Sequence, residues 1–352
     1  MTSDELLKEI TKVKIFQAFL ILMPSILFFF FKPDPSWDLF RHYERYLWLL
    51  DDPNNYFLQN MYFGYSYWQM IFVKLNLPKE MLAVASSIIL NFSVFKLFNS
   101  RLEPISVYYS SSNYILASLL LTLSFPLLHL VSGQRFLLAL SFFLIGVSSK
   151  GKTLKYIFFT ISLCFHYTFI LPLLVYFLSS ISPSKTTKAY SVVFFSCLVL
   201  GLVLPTIILY LNEFLQSVLP TQLYTNLQID KYILGRYGAE QGAELNENGN
   251  IGLWLVQLFL ITLCLAYYFR PENDKFLNVF ICFLLLTSSF GALGRFTVIL
   301  YIFMAILALQ DLIENRKSVN TYCILMIITF NYLFYLKSTY IYHLIAFNGL
   351  FE

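Results

Sequence analysis

Apolar runs near or above ~18 residues, the length a helix needs to cross a bilayer, alternate along this chain with short polar segments that carry Lys and Arg. The first run spans Ile15 to Phe31. It follows a polar start with Lys8, Lys12 and Lys14, which the positive-inside rule places in the cytoplasm. Residues 32–60 then form a first outer, periplasmic loop. Within it Asp38, Arg41, Arg45 and Tyr46 fall at helical spacing and predict a short interfacial helix. Residues 62–77 are rich in Tyr and Trp, which favour the membrane interface. That piece reads as re-entrant or lying at the outer face, with a full span as the competing reading.

Further spans follow at Met81 to Phe98, Tyr114 to Val131 and Phe136 to Val147, the last ending at the cytoplasmic cluster Lys150, Lys152 and Lys155. Residues 156–181 hold His166 near the middle and Pro172 just after it, with basic residues on both flanks. Either the segment breaks near His166 and returns as two short helices, or it crosses once. A span from Tyr190 to Leu211 leads to the longest polar segment, residues 212–250, a second large periplasmic loop. Spans at Gly252 to Phe269, Phe276 to Phe290, Phe296 to Leu309 and Tyr322 to Leu336 complete the chain. The pattern predicts an all-α, polytopic integral membrane protein of ~10 full spans plus re-entrant or interfacial pieces. It forms a single membrane domain over residues 1–352.

Composition narrows this further. Hydrophobic residues make up 58% and charged residues only 12%, about half the charged share of an ordinary soluble domain. The runs are too long and too continuously apolar for barrel strands. The net charge of +4 comes from short clusters between the runs, so it reports topology and excludes nucleic-acid binding. The five cysteines lie inside apolar segments without metal or disulfide spacing and read as small buried hydrophobes. The long first apolar run lacks a small-residue cleavage site and reads as an anchored helix.

Three arginines fall on the outer face by this parity: Arg135, Arg236 and Arg295. Arg135 and Arg295 follow Gly-Gln and Gly in short turns between apolar helices. The planar, permanently charged guanidinium suits phosphate oxygens, so the pattern points to a diphosphate clamp. Snorkelling at a membrane boundary is the alternative. Gln134 beside Arg135 is a candidate substrate contact. His166, deep in an apolar run, reads as a general base, as a donor to a leaving phosphate, or as a satisfied packing residue between helices. Asp38 is the acidic candidate on the outer side, able to orient or deprotonate a sugar hydroxyl. Arg41, Tyr43 and Tyr46 lie beside it as substrate contacts, and a solvated interfacial helix is the bland reading. Tyr232 and Tyr237 in the second loop are further candidate substrate contacts. There is no His/Asp/Glu cluster at metal spacing, no nucleotide-binding phosphate loop and no Gly-x-Ser-x-Gly elbow. A transfer without these uses an activated donor with a good leaving group, and no metal or cofactor is expected.

An aromatic loop containing Asp38 comes first in this sequence. After it come Ser132-Gly-Gln-Arg-Phe, a Lys cluster, Phe165-His166-Tyr-Thr, then Lys231-Tyr232 with Arg236-Tyr237, and finally Gly-Arg295-Phe. In this order the motifs resemble the EpsG family of Wzy-like polysaccharide polymerases. That resemblance implies a GT-C-like glycosyltransferase of the bacterial inner membrane. It would join undecaprenyl-diphosphate-linked oligosaccharide repeat units at the periplasmic face, giving O-antigen, capsule or exopolysaccharide. It implies membrane lipid, a chain-length regulator and a flippase as partners. It also implies Arg135, Arg295 and Arg236 on diphosphate, with Asp38 or His166 as base. A non-catalytic transporter of lipid-linked oligosaccharide and an O-antigen ligase are the other readings.

Overall fold

The computed structural model describes residues 3–30, 32–33, 38–51, 63–102, 111–123, 133–181, 192–197, 199–201, 203–204, 207, 274–287 and 296–314. Among them every element is helical: α1 (Ser3–Leu27), α2 (Asp38–Asp51), α3 (Phe63–Lys74), α4 (Glu80–Leu102), α5 (Ser111–Leu123), α6 (Gln134–Ser148), α7 (Lys152–Phe165), a 3-10 turn at Tyr167–Phe169, α8 (Ile170–Ile181), α9 (Lys275–Leu286) and α10 (Thr297–Ile313). Arg236, Arg295, Tyr232 and Tyr237, the 212–250 loop and the expected spans at 252–269 and 322–336 lie outside the described residues. Contacts divide the chain into two compact units. One comprises Met1–Leu171, Ala305–Thr321 and Ile328–Glu352, and the other Pro172–Met304 and Tyr322–Ile327.

Two helices, Leu7–Leu27 and Glu80–Leu102, are long and apolar enough to cross a membrane. The other apolar helices hold 10–17 residues. At 1.5 Å of rise per residue a helix of that size reaches at most about 26 Å, short of a ~30 Å hydrocarbon core. The described residues therefore hold fewer span-length helices than the run-by-run reading predicts. The first run also differs at its start, because α1 begins at Ser3 and carries Lys8, Lys12 and Lys14 on its own turns. Lys and Glu are good helix formers, and the Glu9–Lys12 ion pair at 2.6 Å ties the first turns together. The helix expected over Asp38 to Tyr46 is present as α2, and the Tyr/Trp-rich piece is the 12-residue α3.

In the first unit α1 packs on α4 and α5, α4 on α6, α6 on α7, and α3 on α7. On α1 the apolar side chains Ile15, Phe19, Leu22, Met23 and Ile26 are exposed, whereas Gln17 and Ser25 are buried. Gln17 Nε2 donates to Asn99 Oδ1 and Ser118 Oγ at 3.2 and 3.1 Å. The Ser25 and Ser87 hydroxyls share a 2.9 Å hydrogen bond, with Asn91 beside them. Polar residues that meet across helices while apolar ones face outward are what a lipid environment selects.

Two glycines let helices touch. A Cβ on Gly64 of α3 would lie 2.7 Å from the Cys164 carbonyl of α7, and one on Gly146 of α6 would lie 2.5 Å from the Phe159 ring. Ser162 Oγ donates to the Ala139 carbonyl at 2.7 Å, and Phe142 stacks on Phe165 at 5.3 Å, so α6 and α7 are locked as a pair. In the second unit Asp274 caps α9 by accepting from the Phe276 and Leu277 amides at 2.9 and 3.3 Å. The Phe276 ring then packs 4.9 Å from Phe303 and 6.0 Å from Tyr176.

Because the Gly64 approach is backbone to backbone, it has no flexible group to move aside. Gly64→Leu is expected to lower the melting temperature of the detergent-solubilised protein, by the equivalent of about 1–3 kcal/mol for overpacking. Gly151→Ala, where a Cβ would meet nothing within 4 Å, is expected to leave it unchanged. Equal melting temperatures for both variants would show that α3 does not rest on α7 at this point.

Candidate functional site

α2 is amphipathic by spacing. Leu39, His42, Tyr43, Tyr46 and Leu49 are buried, the i, i+3, i+4, i+7 pattern of a stripe facing a core, whereas Arg41, Glu44, Leu47 and Trp48 are exposed. Asp38 sits in the first turn, where a carboxylate offsets the helix dipole, and pairs with Arg41 one turn on. Tyr46 donates from its hydroxyl to the Leu77 carbonyl at 2.5 Å and packs with Phe72 and Leu82. Tyr43 lies under the Lys79 ammonium, 5.8 Å from the ring centre. Burial, and then the Glu80 carboxylate, raise the Tyr43 phenol well above its ordinary range. Both tyrosines therefore anchor α2 against the turn between α3 and α4.

His42 is on the same stripe and is 2% exposed. Gln69 Nε2 on α3 donates to its backbone carbonyl at 3.1 Å, and the Tyr65 ring lies 4.8 Å from the imidazole. The Tyr65 hydroxyl continues outward, donating to Gln134 Oε1 on α6 at 2.5 Å. A chain of contacts thus runs His42, Tyr65, Gln134 across three helices. His42 Nδ1 and Gln134 Nε2 are both buried without a hydrogen-bond partner among the described residues.

Gly133 to Arg135 is not a turn between helices. Gly133 is the N-cap of α6, and Gln134 and Arg135 are its first two helical residues. The Gly133 carbonyl accepts the Leu137 amide at 2.9 Å, and no side chain caps the amides of the first turn. A helix N-terminus carries about half a positive charge in exposed N–H groups. Arg135, half-buried there, adds a full one, so the start of α6 is cationic.

Of the two readings of residues 156–181, a break near His166 matches the backbone, and it falls on that residue. α7 ends at Phe165, and His166 is extended at φ −154°, ψ 105°. Its amide donates to the Ser162 carbonyl at 3.0 Å, and its carbonyl accepts from the Phe169 amide at 3.0 Å. Pro172 falls in the first turn of α8, where its missing N–H costs nothing. His166 Nδ1 and Thr168 Oγ1 share a hydrogen bond of 2.8 Å. The Phe136 ring stands edge-on 6.1 Å from the imidazole, which brings His166 to within one residue of Arg135 along α6.

Of the residues singled out from sequence, the structure sets Gln134 and Arg135 side by side at the start of α6, and His166 against the ring of Phe136. It places Asp38 in an ion pair with Arg41, and Tyr43 and Tyr46 in packing. His42 and Tyr65 are the additions. The stripe spacing on α2 carries the signal for His42. Nothing sequential distinguishes Tyr65 from the other interface aromatics. Burial lowers the His42 pKa well below its ordinary 6.5, and the Arg135, Arg45 and Arg41 guanidiniums lower it further.

The EpsG family model matches residues 14–348, nearly the whole chain. No curated protein matches the chain, and no solved structure matches it.

The folded state binds a proton at His42 less readily than the unfolded state does. The stability this group confers is full above the unfolded pKa of about 6.5 and drains away as pH falls below it. The melting temperature is expected to drop more steeply between about pH 6.5 and pH 5 in the wild type than in His42→Phe. Parallel slopes would mean that the imidazole takes up its proton as readily in the folded protein as in the unfolded chain.

Proposed function

The chain belongs to the EpsG family, a Wzy-like family of polysaccharide polymerases, and from that premise we propose that it polymerises undecaprenyl-diphosphate-linked oligosaccharide repeat units at the outer face of the bacterial inner membrane. The match over residues 14–348 carries this reading, and the cationic start of α6 supports it.

In the proposed reaction the bond between the anomeric carbon and the diphosphate oxygen breaks, and its electron pair leaves with the diphosphate. The anomeric carbon bonds to a hydroxyl oxygen of the acceptor repeat unit, and that hydroxyl releases its proton. Negative charge grows on the leaving diphosphate. Fixed cations that meet it there lower the barrier. Arg135, with the amides of the first turn of α6, is the proposed diphosphate holder, and Gln134 a neighbouring contact. Arg295 and Arg236 are proposed for the same task from segments outside the described residues. His166, supported near Arg135 through Phe136, is the proposed proton acceptor. Asp38 is the second choice, because its carboxylate is already committed to Arg41.

The same reading makes the protein polytopic. The two span-length helices and the apolar runs outside the described residues are among its proposed ~10 crossings. A flippase that supplies the lipid-linked units and a chain-length regulator are its proposed partners.

A deletion strain is expected to replace its polymer ladder with a single-repeat band, recovered by the wild-type gene. Arg135→Ala, at matched expression, is expected to lower polymer yield by at least about 100-fold, the scale of losing one charge-stabilising donor. The check is the glycan profile on a gel. An unchanged ladder in the deletion strain would remove the polymerase reading. Single-repeat lipid held on the inner side would point to a transporter, and long unattached polymer to a ligase.

A further inference from the structure

Two buried hydrogen-bonding atoms flank Tyr65 without partners among the described residues: His42 Nδ1 and Gln134 Nε2. Buried polar groups are rarely left unmet, because each forfeits its hydration and gains nothing in return. Six such atoms occur among the described residues, the others being Tyr43 Oη, Trp68 Nε1, Ser86 Oγ and Asn91 Oδ1; these two are singled out because one residue touches both of their side chains. The Tyr65 ring lies 4.8 Å from the imidazole, and its hydroxyl reaches Gln134 Oε1 at 2.5 Å. Gln69 holds the His42 backbone in place. The Tyr65 contact also settles what Gln134 can offer. With Oε1 taken by an O–H donor, the atom left over is the amide nitrogen, which only donates.

We infer that His42 and Gln134 form a subsite for a hydroxyl of an uncharged sugar residue, beside the phosphates that Arg135 holds, with Tyr65 as the positioning residue. The inference rests on the polymerase reading and adds to it the residues that meet the sugar rather than the diphosphate. A hydroxyl can accept from the Gln134 amide and also donate to an imidazole nitrogen, whereas an ionised phosphate oxygen can only accept. The imidazole is uncharged at neutral pH, since burial and three neighbouring guanidiniums oppose its proton. It therefore adds nothing to anion attraction, and its selectivity is for the neutral part of the ligand. Division of labour follows: charge at Arg135 for the phosphates, neutral hydrogen bonds at His42 and Gln134 for the sugar. The competing occupant is an ordered water, which would satisfy the same two atoms without any ligand.

The test uses the full-length protein in nanodiscs and two probes, undecaprenyl diphosphate and undecaprenyl-diphosphoryl-N-acetylglucosamine. The wild type is expected to bind the sugar-bearing lipid more tightly than the bare one. His42→Phe keeps a ring against Tyr65 and removes the nitrogen. It is expected to weaken the sugar-bearing lipid about tenfold and to leave the bare lipid unchanged. Tyr65→Phe, which removes one hydroxyl from a packed ring, is expected to shift binding in the same selective direction and covers the case in which His42→Phe does not fold. Arg135→Ala is expected to weaken both lipids. If the His42 and Tyr65 variants lose nothing, as a water site would give, or lose both lipids equally, the subsite is overturned while the diphosphate reading stands. If the wild type binds neither lipid, the polymerase reading falls first and takes the subsite with it.

Discussion

Buried polar side chains in the first unit have to find one another, because the side chains packed around them are largely apolar. α1 shows the constraint most plainly. Its Gln17 and Ser25 point inward to Asn99, Ser118, Ser87 and Asn91, while Ile15, Phe19, Leu22, Met23 and Ile26 face out. Hydrophobic burial sets little orientation between helices whose surroundings are as apolar as their cores. Directional hydrogen bonds and close backbone contact take over that task. The register of α1 on α4, and of α6 on α7 through Ser162 and Ala139, depends on them.

The candidate site is assembled from helix ends and one helix break, not from the middle of any span. α2 begins at Asp38, α6 begins at Gln134, and the α7 to α8 break falls at His166. Each such point exposes backbone groups that a continuous helix would consume. At α6 they add to Arg135 and give a positive end. At His166 they are satisfied locally, by Ser162 and Phe169, so the imidazole is held in a closed turn. One place is thereby charged, and the other is polar and held by its own turn.

Much of this was readable beforehand, and the limits have physical causes. Helical spacing from Asp38 to Tyr46 predicts α2, and the basic residues on both flanks of 156–181 offer a break near His166 as one of two readings. Arg135 stands out because a guanidinium between apolar runs is costly. The start of α6 was misread as a turn, since Gly-Gln-Arg carries no signal that separates an N-cap from a loop. A histidine between Arg41 and Arg45 carries no local sign of burial. Only the stripe formed with Leu39, Tyr46 and Leu49 turns it inward. Tyr65 depends on three helices meeting, and no local pattern records a meeting of that kind. The role of Tyr46 depends equally on the Leu77 carbonyl, a partner many positions away.

Gly64 and Tyr65 are consecutive, and their different jobs are coupled. The missing side chain at Gly64 presses α3 against the Cys164 backbone, a contact between two rigid surfaces with no soft atoms between them. Helical geometry turns the next residue by about 100°, away from that contact and toward His42 and Gln134. The clearance of the tyrosine hydroxyl is therefore set by a neighbour that touches nothing in the site. A positional tolerance of a few tenths of an ångström passes along the chain from one residue to the next. A lineage that exchanged Gly64 for alanine would have to re-space the whole junction, so this glycine constrains which sequences can drift around the site.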